Sequence, residues 1–486
     1  MKQVQDQLQD KTPHYSRRDF LCLSAVITGG AVIAACVPAA PGAAPAGAAP
    51  GTAAQTINVW WSTTPTQQGV VNAFQTANPT IKVELAELGE SVYGNPKYVT
   101  AVAGGTGPDV AYQNRHTFHQ FASRKLYRAI DDLFTRDNLK KEDFPAAQLE
   151  EVSWDGTLYG LPYVIDTRYF FYNRKHFEEV GLDPEKPPAT WDDLIEYTQK
   201  LSVREGSEIS RYGFIPGFPA ALSDQLLIFA IENGAKAYTP DFRTCLLDQP
   251  EWIEALEWVA KFYKDYCDGF GVASGSMQGF ASQAQDAFVQ GKVSMSSYGS
   301  WMISSYAAFP DLDYDGTAVM PVSSKMKGQK INWSCDYSFV LDPNTKKIDE
   351  GWTFLKFAIG PDGFKAAGTE GLTLAKQDWE RQQLPGQPVY AAPPPAYAPS
   401  RAMMAKEFYS LLPPRQKKMK DSEVDAAGWA QGCGNLGGLA ASEIWTAMAS
   451  AWQNALTEQA TPEASLVQAQ ADVQKALDAF WKQLAG

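Results

Sequence analysis

A carboxylate, a hydroxyl and a guanidinium stand in a row at Asp166-Thr167-Arg168, preceded by Val164 and Ile165 and followed by the aromatic run Tyr169 to Tyr172. Removing water from such groups is costly unless partners or solvent satisfy them, so this segment is expected to border a cleft. The contacts it could make are hydrogen bonds to a polar ligand. Fourteen tryptophans add a second kind of contact, because a saccharide presents apolar C–H faces that stack on Trp or Tyr and a rim of hydroxyls that need donors and acceptors. Most large aromatics serve a core, so only those at loop ends carry a functional signal.

Reactive and metal-binding patterns are thin. Gly432-Cys433-Gly434-Asn435-Leu436-Gly437 fits GxGxxG, but no strand is expected before it and little chain follows, so it reads as a loop. Asp311-Leu312-Asp313-Tyr314-Asp315-Gly316 opens like a calcium loop, yet its twelfth position is Val322 where a bidentate Glu is needed; it reads as a turn before a strand. His116 and His119 are one helical turn apart without a third ligand and read as surface residues. Gly104 to Gly107 lacks the Lys-Ser/Thr of a phosphate loop. No metal and no cofactor is expected. Carboxylates are plentiful, but a pair flanking one glycosidic bond is not legible in sequence, so a cell-surface glycoside hydrolase stays as the rival reading.

The elements that must position Asp166 alternate in type. Ile57 to Ser62 reads as a strand, a helix burying Val70, Val71, Phe74 and Ala77 follows, Ile81, Val83 and Leu85 alternate as a half-exposed strand, and Asp109 to Tyr112 is a short apolar strand. Such alternation implies a parallel sheet covered by helices, with ligands beyond the carboxyl ends of the strands, at Ser62 to Thr64 and Gln113 to His116. Trp154-Asp155-Gly156-Thr157 is a tight turn, the run Tyr169 to Tyr172 is an interior strand, and Thr190 with Asp193 caps a helix. Asn332 to Val340 reads as a return crossing, Pro385 to Pro399 as loop, and helices are expected at Asp349 to Ile359 and from Thr461, the latter with Leu466, Val473, Leu477, Phe480 and Leu484 on its apolar face. Cys245 and Cys267 flank a helix that holds them about 20 Å apart, beyond disulfide reach, and all four of Cys245, Cys267, Cys335 and Cys433 are expected as buried unpaired thiols.

The N-terminus is a targeting segment. Ser16-Arg17-Arg18-Asp19-Phe20-Leu21 matches a twin-arginine signal, the apolar run to Ala35 is short for a membrane span, and Ile33-Ala34-Ala35-Cys36 has the form of a lipobox whose Cys36 carries lipid. Residues 1–36 are therefore read as signal, and 37–56, nearly all Ala, Pro, Gly and Thr at first, as a tether. The remaining length suits two or more domains, and the formal charge of −13 disfavours nucleic acid and anionic membrane surfaces as partners.

The ordered set Trp154-Asp155-Gly156, Tyr159-Gly160-Leu161-Pro162, Tyr172-Asn173 and Pro188 to Asp193, with Asp286 to Trp301 as helix, Gly turn, strand and closing Gly-x-Trp, resembles the family 1 extracellular solute-binding proteins of ABC importers, the maltodextrin-binding type. The resemblance covers roughly Ile57 to the C-terminus. It implies an α/β, two-lobed periplasmic-binding-protein fold (type II) with a central cleft and hinge crossings near Asp166 and Trp333, the lobes being 57–165 with 336–375 and 166–335 with 376–486. It implies a monomeric binding protein, not an enzyme, that captures a carbohydrate and delivers it to the membrane permease of an ABC importer; a polyamine or a glycerophosphodiester is the alternative ligand. On the same basis Trp301 matches the stacking aromatic, and Asp166 the hinge carboxylate, whose other reading is a salt bridge with Arg115 or Arg168. Ser62, Thr64, Asn114 and Arg115 fall at strand ends that match polar contacts, while Trp61, Trp333, Asp336 and Trp445 complete the candidate ligand set.

Overall fold

The computed structural model describes residues 54–87, 96–217, 222–277, 286–335, 337–384, 386–432 and 434–485. The signal, the lipobox with Cys36, most of the tether, Asp336 and Cys433 lie outside them. Fourteen strands are present among the described residues: β1 (Gln55–Trp61), β2 (Ile81–Glu87), β3 (Val110–Asn114), β4 (Ser153–Trp154), β5 (Thr157–Leu158), β6 (Gly160–Pro162), β7 (Arg168–Asn173), β8 (Val203–Glu205), β9 (Glu208–Phe214), β10 (Val293–Gly299), β11 (Tyr314–Thr317), β12 (Trp333–Ser334), β13 (Tyr337–Leu341) and β14 (Gln431–Gly432).

They form two five-stranded sheets. The first runs β2-β1-β3-β13-β6, and the second β11-β7-β10-β9-β8. In the first, β1 pairs in parallel with β2 and β3 while the returning β13 lies antiparallel to β3 and β6. The strand-helix alternation of residues 55–114 thus makes the parallel part that the sequence implies, and the return crossing supplies the antiparallel strand. Every residue of β7 is buried, which is why its run reads as continuously aromatic rather than alternating. Each sheet has its own apolar centre, with Val59, Trp61, Phe339 and Phe354 in one and Phe214, Leu256, Trp252 and Val293 in the other.

Local chemistry fixes the joints. Asp155 and Gly156 both have positive φ, +48° and +76°, the conformation a two-residue Asp-Gly hairpin turn needs between β4 and β5. Thr190 and Asp193 form a reciprocal capping box on the helix Trp191–Leu201. The helices Ile348–Ile359 and Pro462–Ala485 stand at the expected places, and Thr461 Oγ1 accepts the Ala464 N–H at the start of the second.

Three chain segments run side by side between the sheets. Cys335 N–H donates to Asp166 O, Thr167 bridges Ser334, and Ile165 N–H donates to Pro394 O. The Pro-rich tract expected as plain loop is thus pinned to the first crossing.

Several expectations need correction. His116 and His119 are buried, 5% and 3% exposed, because the segment that carries them turns inward under the C-terminal helices. Cys335 is disulfide-bonded, whereas Cys245 and Cys267 are buried free thiols on either side of the helix Pro250–Tyr266. The GxGxxG stretch begins on the two-residue strand β14 and contains the one-turn helix Gly434–Gly437, both too short for a dinucleotide fold. Residues 287–290 form turns rather than a helix, with Asp286 Oδ1 accepting the N–H groups of Phe288 and Val289. β1 starts at Gln55, inside the stretch read as tether, and Ala77 and Leu484 are exposed rather than buried.

Candidate functional site

Arg168 opens β7, and its guanidinium is the centre of the crossing. Nη1 donates to Asp166 Oδ2 at 3.4 Å and Nη2 to Asp224 Oδ2 at 3.3 Å, so one cation faces two carboxylates. Its Cζ lies 4.6 Å from the Trp333 ring centroid and 5.5 Å from that of Trp301, within cation–π range of both. Ser300 Oγ donates to Asp166 Oδ1 at 3.1 Å. The two carboxylates and the guanidinium remain 9–12% exposed at the side chain, enough for solvent to reach the rim.

Burial is the main cause that raises the Asp166 pKa to about 7, helped by the Glu423 carboxyl, while Arg168, the Ser300 hydroxyl and Arg115 pull it down. Glu423 sits on the helix Pro414–Ala426, fully buried and bonded to Lys420, and burial raises its pKa too. Near neutral pH Asp166 therefore stands between a hydrogen-bond donor and an acceptor.

Trp301 is 38% exposed, an unusual state for an indole at a strand end. The reason is local. A Cβ built on Gly299 would fall 1.9 Å from Trp301 Cζ3, so only glycine lets the ring fold back over the end of β10. Tyr298 meets the same indole edge-on, centroids 5.2 Å apart. The Gly-x-Trp spacing is thus a physical requirement of the ring's position.

A second arginine belongs to a sealed cluster. Arg115 Nε lies 2.9 Å from Glu151 Oε2, both side chains 0% exposed, and Nη1 donates to Val164 O and Tyr337 O, one carbonyl beside each crossing. Asn114 caps the short turn Arg115–Thr117 by accepting the His116 N–H at 2.8 Å. The His116 ring packs edge-on against Trp333 and Trp445, and burial, with Arg168 and Arg115 nearby, lowers its pKa well below the ordinary value, so it is neutral.

The candidates thus sort themselves. Asp166, Trp301 and Trp333 meet through Arg168, and Trp445 joins them through the Trp333 ring, 6.2 Å away. Trp333 and Trp445 are 1% exposed and act as backing. Asn114 and Arg115 adjoin them through His116, but Arg115 is committed to Glu151. Trp61 is 1% exposed and packed edge-on against Tyr163 and Phe339, in the first sheet's core. Ser62 is half-buried, and exposed Thr64 bonds its own helix through Gln67. Sequence reasoning missed Asp224, Ser300, Glu423 and Glu151, whose partners lie far away in the chain. The stacked pair of Tyr112, in the middle of β3, and Tyr337, at the start of β13, centroids 4.6 Å apart and both half-buried, was missed as well. Only Ser300, between Gly299 and Trp301, had a sequence signal. Among the described residues no group of three His, Cys, Asp or Glu is placed to hold a metal ion, and no helix is long and apolar enough to cross a membrane.

Comparison with known proteins gives this arrangement its relatives. Residues 39–363 match the family model described as bacterial extracellular solute-binding protein. The maltotriose-binding protein of Pyrococcus abyssi is 26% identical over 272 residues, 54% of each chain. The sn-glycerol-3-phosphate-binding periplasmic protein of Salmonella typhi is 26% identical over 183 residues, 36% of this chain and 39% of that one. The solved structure of CpMnBP1 with mannotriose bound superposes with a TM-score of 0.67 at 19% identity, over 87% of this chain and all of the other, which shows a shared two-lobed α/β fold.

Proposed function

The chain belongs to the bacterial extracellular solute-binding proteins, and we propose that it captures a neutral saccharide at the Asp166–Arg168–Trp301 cluster and delivers it to the membrane permease of an ABC importer. Trp301 carries this reading: a large aromatic held partly exposed over a glycine, with a carboxylate and a hydroxyl beside it, offers the stacking face and the hydrogen-bond acceptor that a sugar ring uses. The charge balance favours a neutral ligand over a phosphodiester. Arg168 is shared by Asp166 and Asp224, and Arg115 is bound to Glu151, so both guanidinium charges are already balanced by carboxylates and a phosphate would add negative charge.

In this reading the lobes, 57–165 with 336–375 and 166–335 with 376–486, rotate about the crossings, and the ligand bridges them, so that closure is favoured by contacts the open form cannot make. Cys36 holds the protein to the outer face of the membrane through lipid. Calorimetric titration and small-angle scattering across a panel of neutral oligosaccharides test the proposal: one of them binds, compacts the protein and raises its melting temperature. Turnover of that sugar to products, or a panel with no binder while glycerophosphodiesters bind, overturns it. Cys36→Ser should release the protein from the membrane fraction, and retention refutes the anchor.

A further inference from the structure

A cavity of about 720 Å³ lies away from this cluster and shares no residue with it. Its walls are three aromatic rings, Trp154 of the β4–β5 hairpin, Phe242 of the turn before Cys245, and Trp481 of the last helix, with His119 beside them. His119 lies 5.4 Å from Phe242 and 5.9 Å from Trp154, ring centre to ring centre, and Trp154 and Phe242 are 6.3 Å apart. Phe242 is held with φ +54°, a conformation that costs a bulky residue energy and persists only where surroundings enforce it. Here the Trp481 indole N–H donates to Phe242 O at 3.0 Å, and Asp241 Oδ1 ties the turn by accepting from Thr239 and Arg243.

The polar groups of this cavity are nearly all acceptors. Glu150, Asp155 and Asp241 stand exposed at its edge. His119 Nε2 lies 3.2 Å from Glu150 O and so carries the proton, which leaves Nδ1 as a buried acceptor without a partner. Burial lowers the pKa of this imidazole, so it stays neutral. The donors of Ser153 and Trp481 are spent on Leu149 O and Phe242 O, leaving the Trp154 indole N–H against three carboxylates. One face of Trp481 already carries a guanidinium, since Arg243 Cζ is 4.2 Å from its ring centroid. A saccharide needs donors as well as acceptors, whereas an organic cation needs aromatic faces and acceptors alone.

We propose that this cavity is a second binding site, for a small organic cation with an alkyl body and a guanidinium or ammonium head. The body packs over the contiguous faces of Trp154 and Phe242, and the head's N–H groups meet Asp155 and Asp241. The chain's net charge of −13 favours the approach of such a ligand.

The test is a titration with propylguanidinium, followed by the indole N–H resonances of Trp154 and Trp481. Propylurea, its neutral counterpart, and butyrate are the controls. The cation should shift both resonances saturably and the controls should not. Phe242→Gly, which relieves the strained backbone, and the double change Asp155→Asn with Asp241→Asn should each weaken binding about tenfold, as expected for loss of a ring or of the charge pairing. Asn keeps the side-chain carbonyl at the Asp241 turn and suits the positive φ of Asp155, so the double variant should fold. Saccharide affinity should be unchanged in it. An equal response to propylurea, an unsaturable shift, or cation binding that survives in the double variant overturns the proposal.

Discussion

Two arginines sit fifty-three residues apart beside the same crossings, and they have been put to different use. Arg115 and Glu151 are both fully buried, with the guanidinium also holding the carbonyls of Val164 and Tyr337. Arg168 is almost as deep but keeps 9% of its side chain exposed, faces two carboxylates at longer distances, and lies over the rings of Trp333 and Trp301. A pair sealed from solvent is out of a ligand's reach. A shared cation at a rim, with distances of 3.3 and 3.4 Å, can be rearranged by one. Burial of charge thus marks architecture in the first case and the proposed site in the second.

The largest effect should come from breaking the sealed pair. Glu151→Gln or Arg115→Met leaves the other charge buried without its counter-ion, which costs about 3–5 kcal/mol of stability in urea unfolding. If either variant is as stable as the parent, Arg115 is no clasp. At the rim the same logic predicts a loss of binding instead. Trp301→Ala and Asp166→Asn should each weaken saccharide affinity by roughly 1–3 kcal/mol in calorimetry, and neither should destabilise the ligand-free protein. Should Asp166→Asn unfold the protein as Glu151→Gln does, the contrast between the two arginines fails.

Acidity sharpens it further. The Asp166 pKa is raised from 3.8 to about 7, chiefly by burial. Between those values the folded chain holds a proton that the unfolded chain has lost, so this group's contribution to stability falls as pH rises through the window and is flat above it. Saccharide affinity, which needs the carboxylate as acceptor, should move the opposite way, dropping by up to about tenfold per pH unit below 7. Asp166→Asn should abolish both trends; a pH-independent affinity in the parent removes the carboxylate from the ligand's contacts. The smallest effect belongs to the surface pair Arg128 and Asp132, 2.8 Å apart with the carboxylate 62% exposed: Asp132→Ala should change stability by less than about 0.5 kcal/mol.

Local pattern made much of the fold legible. The Asp-Gly hairpin, the Thr190–Asp193 cap, the aromatic interior strand and the opening strand-helix alternation are all signals that neighbours in sequence write for one another. The candidate site was legible where it is local too, at Asp166 and in Gly299-Ser300-Trp301. It was hidden where partners are distant: Asp224 meets Arg168 from 56 residues away, and Glu151 meets Arg115 with nothing in its own segment to mark it. The histidines were misplaced for the same reason. A polar residue on a short turn looks exposed until the last helices, hundreds of residues on, cover it. Trp61 fails differently, since a strand-end aromatic reads alike whether a ligand or Phe339 lies beyond it.

The glycine under Trp301 has a consequence for the thermodynamics of capture. A large side chain on an open surface loses rotational freedom when a ligand settles on it, and that loss subtracts from affinity. Here the indole already lies against the backbone of Gly299, where any larger residue would displace it, so its freedom is given up when the chain folds. In the proposed capture the stacking energy of a sugar would then reach the binding constant with little entropic deduction, and a face this rigid should favour ligands whose ring is flat and unhindered on the side it presents.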